Sequence, residues 1–128
     1  MKGRAMRIVI GYRDPTYLEQ LQDKLESMGH LVEVADNGID CLERMREMLP
    51  DVLALGSHLC WGSSDGVLSV MQEETYLQDI PVLIMLESDT SLEICRHPMI
   101  ISSVRQPFQI DDIARQLEFL DLICEGSY

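Results

Sequence analysis

The sequence predicts an α/β domain, a doubly wound five-stranded parallel sheet with helices on both faces. Two observations carry this. Five short runs rich in Val, Ile and Leu alternate with segments whose apolar residues recur every three to four positions, and strands that alternate with amphipathic helices build parallel sheets. The third run, Pro50-Asp51-Val52-Leu53-Ala54-Leu55-Gly56, is apolar at successive positions between a Pro-Asp start and a Gly stop. A strand buried on both faces reads this way, which places it at the centre of the sheet. The chain has 128 residues, 46% of them hydrophobic, enough for one domain with one packed core. Its expected bounds are 6–124, with tails at 1–5 and 125–128.

Taken in order, Arg7-Ile8-Val9-Ile10-Gly11 is a β-branched run and reads as strand one. Asp14-Pro15 opens helix one, Asp as N-cap and Pro at the first helical position; Leu18, Leu21, Leu25 and Met28 form its apolar stripe, and Gly29 ends it. Leu31–Ala35 is strand two, and Asp36-Asn37-Gly38 a turn and cap. Ile39, Leu42, Met45 and Met48/Leu49 mark helix two, which stops before Pro50. After strand three come a loop, Ser57 to Ser64, and a helix begun and capped by Asp65. Pro81–Leu86 is strand four. Ser88-Asp89 caps a short fourth helix containing Leu92 and Cys95, cut off before Pro98. Met99–Val104 is strand five, and the last helix carries Ile110, Ile113, Leu117 and Leu120 on one face. No internal repeat or low-complexity linker interrupts this order, so a stand-alone domain is expected.

Composition excludes several function classes. The net charge is −12, from 22 acids against 10 bases. That disfavours nucleic acid and anionic membranes, both of which need a positive surface, and favours a basic partner. No apolar run approaches a membrane span, and the apolar stretch behind the basic N-terminus is too short for a signal peptide; a cytoplasmic protein is expected. Cys41, Cys60, Cys95 and Cys124 are widely spaced without a Cys-x-x-Cys pair, so neither a zinc nor a redox motif is present. No metal and no cofactor are expected.

Several short pieces, in this order and spacing, carry a family resemblance: Ile8-Val9-Ile10 with Asp14-Pro15, Gly29-His30 through Ala35-Asp36-Asn37-Gly38, Pro50-Asp51-Val52-Leu53, Asp65-Gly66, Ile80-Pro81-Val82-Leu83 and Gln106-Pro107-Phe108. From about Met6 to Cys124 the chain resembles the receiver domain of bacterial response regulators, the CheY-like family. The resemblance implies a flavodoxin-like strand order, 2-1-3-4-5. It also implies a phosphoryl-transfer site: an acidic pair after strand one for magnesium, an acceptor Asp ending strand three, a Thr or Ser ending strand four, and a Lys before the proline after strand five. Here those positions hold Tyr12 and Arg13, Gly56, Leu86 and Gln106, and the aromatic switch position on strand five holds Ser103.

The replacements have chemical consequences that stand without the family. Magnesium takes oxygen ligands, and a guanidinium at position 13 repels it. Without a carboxylate at position 56 no acyl phosphate can form there. Leu86 cannot bond a phosphate, and Gln106 brings no ammonium to neutralise one. The other acids are assigned elsewhere: Asp14 as a cap, Asp51 at the far end of strand three. Arg13 is either solvated or paired with Glu87 or Asp14 across the vacated site. Ser57 and His58, neighbours in sequence, point to opposite faces if extended and make a poor catalytic pair. His30 is placed at a turn, and His97 at a helix end.

These readings converge on a degenerate pseudo-receiver with no catalytic residues. Its expected role is a phosphorylation-independent protein-interaction module in two-component signal transduction, not an enzyme. The alternative is a small-ligand sensor in which Tyr12, Arg13 and Gln106 bind an anion or nucleotide in the vacated pocket. Candidate interface residues are Trp61, Ser103, Phe119 and Leu122, the last two lying off the core stripe of the final helix. The resemblance implies partners, including a homodimer, on the face formed by helix four, strand five and helix five.

Overall fold

A computed structural model describes residues 5–60, 62–88 and 92–125. In chain order the elements are β1 (Arg7–Gly11), α1 (Pro15–Ser27), β2 (Leu31–Ala35), α2 (Gly38–Met48), β3 (Val52–Gly56), a short hairpin of β4 (His58–Leu59) and β5 (Gly62–Ser63), α3 (Ser64–Glu73), β6 (Val82–Leu86), a 3-10 turn (Leu92–Arg96), β7 (Ile100–Arg105) and α4 (Ile110–Glu125). The main sheet has five strands in the order β2-β1-β3-β6-β7, every neighbouring pair parallel. This is the doubly wound, flavodoxin-like order, with the apolar third run at its centre.

Local signals set the element ends. The Asp14 carboxylate accepts the Thr16 and Tyr17 N–H groups at 3.0 and 3.4 Å, with Pro15 directly behind it. Gly29 takes φ +96°, a conformation that favours glycine and lets the chain leave α1. The Asn37 side chain accepts the Asp40 N–H at 2.9 Å and caps α2. Asp51 binds the Arg7 N–H at 2.8 Å, which fixes it at the amino end of the sheet, away from the carboxyl ends of the strands.

Because β3 is buried on both faces, two cores form. On one face Val9, Leu53, Leu55, Ile84 and Leu86 pack against Cys41 and Met45 of α2 and Val67, Leu68 and Met71 of α3. On the other, Ile8, Ile10, Ala54, Leu83 and Met85 pack against Leu18, Leu21 and Leu25 of α1 and Ile113, Leu117 and Leu120 of α4.

The structure corrects several sequence expectations. The fourth helix is only a 3-10 turn ended by Pro98, so it cannot cover the outer face of β7, and Ile101, Ser103 and Arg105 stay exposed. The loop after β3 forms an antiparallel hairpin, His58 opposite Ser63. Ile39 is 74% exposed and does not join the apolar stripe of α2, which is made by Cys41 and Met45 with Leu42 and Met48. Asp65 does not cap α3: Ser63 holds the N-cap position, and Asp65 lies in the first turn, where its charge suits the helix dipole and faces His97 Nε2 at 3.6 Å. His30 does lie at the α1–β2 turn, but buried. Its Nδ1 accepts the Met6 N–H at 3.0 Å, so Nε2, 3.1 Å from Glu118, carries the proton.

Candidate functional site

Parallel α/β sheets keep their chemistry at the carboxyl ends of the strands. Here β1 delivers Tyr12 and Arg13, β3 delivers Gly56 followed by Ser57 and His58, β6 delivers Glu87, and β7 delivers Gln106. These residues meet, and each is engaged within the protein.

Tyr12 turns inward, 7% exposed. Its ring makes edge contacts with Tyr17 and Phe108, with centroids 5.2 and 5.9 Å away. The Tyr17 hydroxyl donates to the Phe108 carbonyl oxygen at 3.0 Å and fixes the group. The Tyr12 ring lies over the backbone of Gly56: a Cβ built at position 56 would stand 2.5 Å from Tyr12 Cδ1 and 3.4 Å from the Gly11 carbonyl oxygen. Real carbon atoms do not approach so closely. Gly56 therefore accommodates the aromatic ring, which fills the space of a side chain there.

Beside the ring sits Glu87, 3% exposed. Arg13 Nη2 is 2.5 Å from its Oε1, and His58 Nδ1 is 2.7 Å from its Oε2. Neither approach has the alignment of a full hydrogen bond; Arg13 faces the carboxylate as an ion pair, and His58 adds a polar contact through Nδ1. Of the two readings for Arg13, pairing with Glu87 is the one observed. The Ser57 hydroxyl oxygen accepts the Glu87 N–H at 3.1 Å and lies 3.2 Å from His58 Nδ1. The neighbours Ser57 and His58 do meet, contrary to the extended-chain argument. The contact is still no nucleophile relay, because a relay uses the two ring nitrogens separately for nucleophile and acid, whereas Ser57 and Glu87 both face Nδ1.

Gln106 Oε1 accepts the Ser88 N–H at 2.9 Å and ties β7 to the loop after β6. Leu86 is buried in the core on the α2–α3 face. The three residues expected to recognise an anion are thus committed: Tyr12 to the aromatic group, Arg13 to Glu87, Gln106 to the backbone. Among the described residues no group of three or more His, Cys, Asp or Glu could hold a metal ion. No helix among them is long and apolar enough to cross a membrane.

Burial pushes the Tyr12 hydroxyl above its ordinary pKa, and the nearby Glu87 charge adds to this. Tyr17 is raised too, first by burial and then by Tyr12. Both groups favour the neutral form when folded, so they contribute stability that is complete below about pH 10 and is lost as pH rises toward their folded values. An absorbance titration of the phenols is expected to leave two of the four tyrosines protonated past pH 10 until unfolding, and Tyr12→Phe to lower that number by one. Four tyrosines ionising together near their ordinary value would contradict the packing.

The candidate interface residues do not form one patch. Phe119, 57% exposed on α4, lines a shallow groove with Val104, Asp112, Arg115 and Gln116. Ser103 pairs in register with Ile84 and is exposed on the opposite face of the edge strand. Trp61 lies outside the described residues, as does the side chain of Leu122, whose backbone belongs to α4. Sequence reasoning passed over Tyr17 and Phe108 as site residues and treated Ser57 only as a nucleophile. A tyrosine at position 12, beside glycine at the end of β3, was the available signal that a ring replaces a side chain.

Comparison with known structures decides the fold. The chain superposes on the chemotaxis response regulator CheY4 of Vibrio cholerae with a TM-score of 0.79 at 14% identity, covering 91% of this chain and 99% of that one. The receiver domain of the Francisella response regulator 1452 gives 0.79 at 16% identity, over 93% and 98% of the two chains. The fold is that of a receiver domain. The response regulator PhyR from Brucella abortus matches 98% of this chain with 51% of its own, at a TM-score of 0.78 and 20% identity. In sequence, the transcriptional regulatory protein ZraR of Klebsiella oxytoca is 30% identical over 96 residues, 73% of this chain. The chain spans about a fifth (21%) of the length of that relative. No family model matches. In this receiver fold, the carboxyl ends of the strands hold an aromatic group and a buried ion-pair cluster.

Proposed function

We propose that this receiver-fold domain is a phosphorylation-independent protein-interaction module in two-component signalling, and not an enzyme. One observation carries the reading: the Tyr12 ring occupies the place where a side chain at position 56 would stand. The ring takes the space that an acceptor side chain at position 56 needs, and Arg13 brings positive charge where a cation would sit. The sequence likeness to a transcriptional regulatory protein and the fold shared with response regulators support a signalling role. The domain acts through a fixed surface. The exposed edge strand β7 with Ile101, and the groove beside Phe119, are the faces offered to a protein partner, a second copy of the chain included.

A magnesium titration followed by amide NMR shifts tests the closed pocket. Millimolar magnesium is expected to leave the resonances of residues 11–14, 56–58 and 86–88 in place. A saturable shift confined to those residues would overturn the reading.

A further inference from the structure

The sheet ends at β2, and among the described residues no strand covers its outer edge. The Leu31 N–H donates to the Met6 carbonyl at 2.9 Å, and the Ala35 carbonyl accepts the Tyr12 N–H at 3.0 Å. The backbone groups of Leu31 and Ala35 thus face β1, and alternation along the strand turns those of Val32 and Val34 outward. The Gln22 side-chain amide donates to the Val32 carbonyl at 3.3 Å, in the place a neighbouring strand would take. Beside this edge a groove opens between α1 and the carboxyl end of β2. Its apolar lining includes Leu18 and Val34; its acids are Glu19 and Asp23 of α1, Asp36 after β2 and Asp40 of α2. Among the described residues no base pairs with any of these four acids. Asp36 and Asp40 share the neutral Asn37 amide, at 2.9 and 3.0 Å. Glu19 and Asp23 lie one turn apart on the same helix face, where like charges repel.

We infer that this edge and groove dock an extended, basic segment of a partner protein, which lies along β2 as an added strand with Lys or Arg side chains among the groove acids. Charge complementarity selects the occupant. A lone metal ion does not fit, because among the described residues no group of three or more His, Cys, Asp or Glu could hold one. A lysine or arginine reaches further: its stem covers Leu18 and Val34 while its charged head meets a carboxylate. Main-chain bonds to the strand edge supply affinity, and alternate side chains supply specificity. The opposite edge strand, β7, contains no acid and exposes Arg105, so it repels a basic strand. The net charge of −12 draws such a partner from a distance and opposes a second copy of the chain at this place. The groove is separate from the β7 and Phe119 faces. The inference rests on the interaction-module reading only in expecting a protein partner, and its test needs no phosphodonor.

The probe is a capped octapeptide of alternating lysine and threonine, titrated into the full chain and followed by amide NMR shifts. Saturable shifts are expected in residues 18–23 and 31–40, with affinity falling as salt rises. A counterpart with an N-methylated backbone keeps the charges and loses the N–H donors, and is expected to bind about tenfold more weakly. The double variant Glu19→Gln with Asp23→Asn changes two exposed positions, so it is expected to fold as wild type does and to bind the peptide about tenfold more weakly. The same peptide with glutamate in place of lysine is expected not to bind. No saturable shift at millimolar peptide, or shifts centred on 100–105 or spread over the whole surface, would overturn the inference. Equal affinity for the N-methylated peptide, or for the double variant, would overturn it too. Such a failure, with the pocket still unresponsive to magnesium, removes this docking site and leaves the interaction-module reading standing.

Discussion

Gly56→Asp is expected to destabilise the domain and not to create a phosphorylation site. The new Cβ would stand 2.5 Å from Tyr12 Cδ1. The ring cannot step aside freely, because Tyr17 and Phe108 pack edge-on against it and are themselves joined by a hydrogen bond. Overpacking of this kind costs about 1–3 kcal/mol. A carboxylate pressed against the Tyr12 ring and the Gly11 carbonyl oxygen adds about 1–3 kcal/mol more. A loss of roughly 2–6 kcal/mol is therefore expected from the urea midpoint at unchanged slope. The clash is specific to one partner, so the double variant Gly56→Asp with Tyr12→Ala is expected to fall less far than the two single losses together, with a coupling of about 1 kcal/mol or more. A Gly56→Asp protein within about 0.5 kcal/mol of wild type would contradict the filled pocket.

Removing both basic side chains that face Glu87 is expected to cost far more than removing either. Arg13→Ala leaves the carboxylate with His58, and His58→Ala leaves it with Arg13. Each of the two side chains is about half exposed, solvent screens its interaction, and a single loss is expected to cost about 1 kcal/mol. The double variant leaves the buried carboxylate with neither side-chain partner, and stranding such a charge costs about 3–5 kcal/mol. Adding Glu87→Gln to that double variant removes the charge and is expected to recover most of the loss. Thermal or urea unfolding of the five proteins gives the series. Simple additivity of Arg13→Ala and His58→Ala, with no recovery on Glu87→Gln, would show that the carboxylate is not the centre of the cluster.

Much of this was legible in the sequence because the signals were local. Asp14-Pro15, Asn37-Gly38 and Gly29 mark helix ends through backbone chemistry that depends on few neighbours, and the uniform apolar character of β3 places it at the sheet centre. The replaced positions Tyr12, Arg13, Gly56, Leu86 and Gln106 were readable one by one, and pairing of Arg13 with Glu87 was one of two open readings. What the replacements do together was not readable. That Tyr12 folds over Gly56 depends on Phe108, which lies 96 residues later in the chain, and periodicity carries no such information. The fourth helix was overread because Leu92 and Cys95 have helical spacing, while so short a segment before Pro98 closes only a 3-10 turn. Ile39 has the right period for the core and the wrong phase: the α2 stripe runs through Cys41 and Met45, and Ile39 points to water. Ser57 and His58 were judged as extended neighbours, whereas the chain bends into a hairpin at that point.

The most direct measurement is intact mass after incubation with acetyl phosphate and magnesium. A filled pocket with no carboxylate at position 56 predicts an unchanged mass. It predicts the same for Tyr12→Ala, which empties the pocket without supplying an acceptor. A gain of one phosphoryl group, labile to hydroxylamine as an acyl phosphate is, would contradict the account and move the search for the acceptor to Asp14, Asp65 and Glu87.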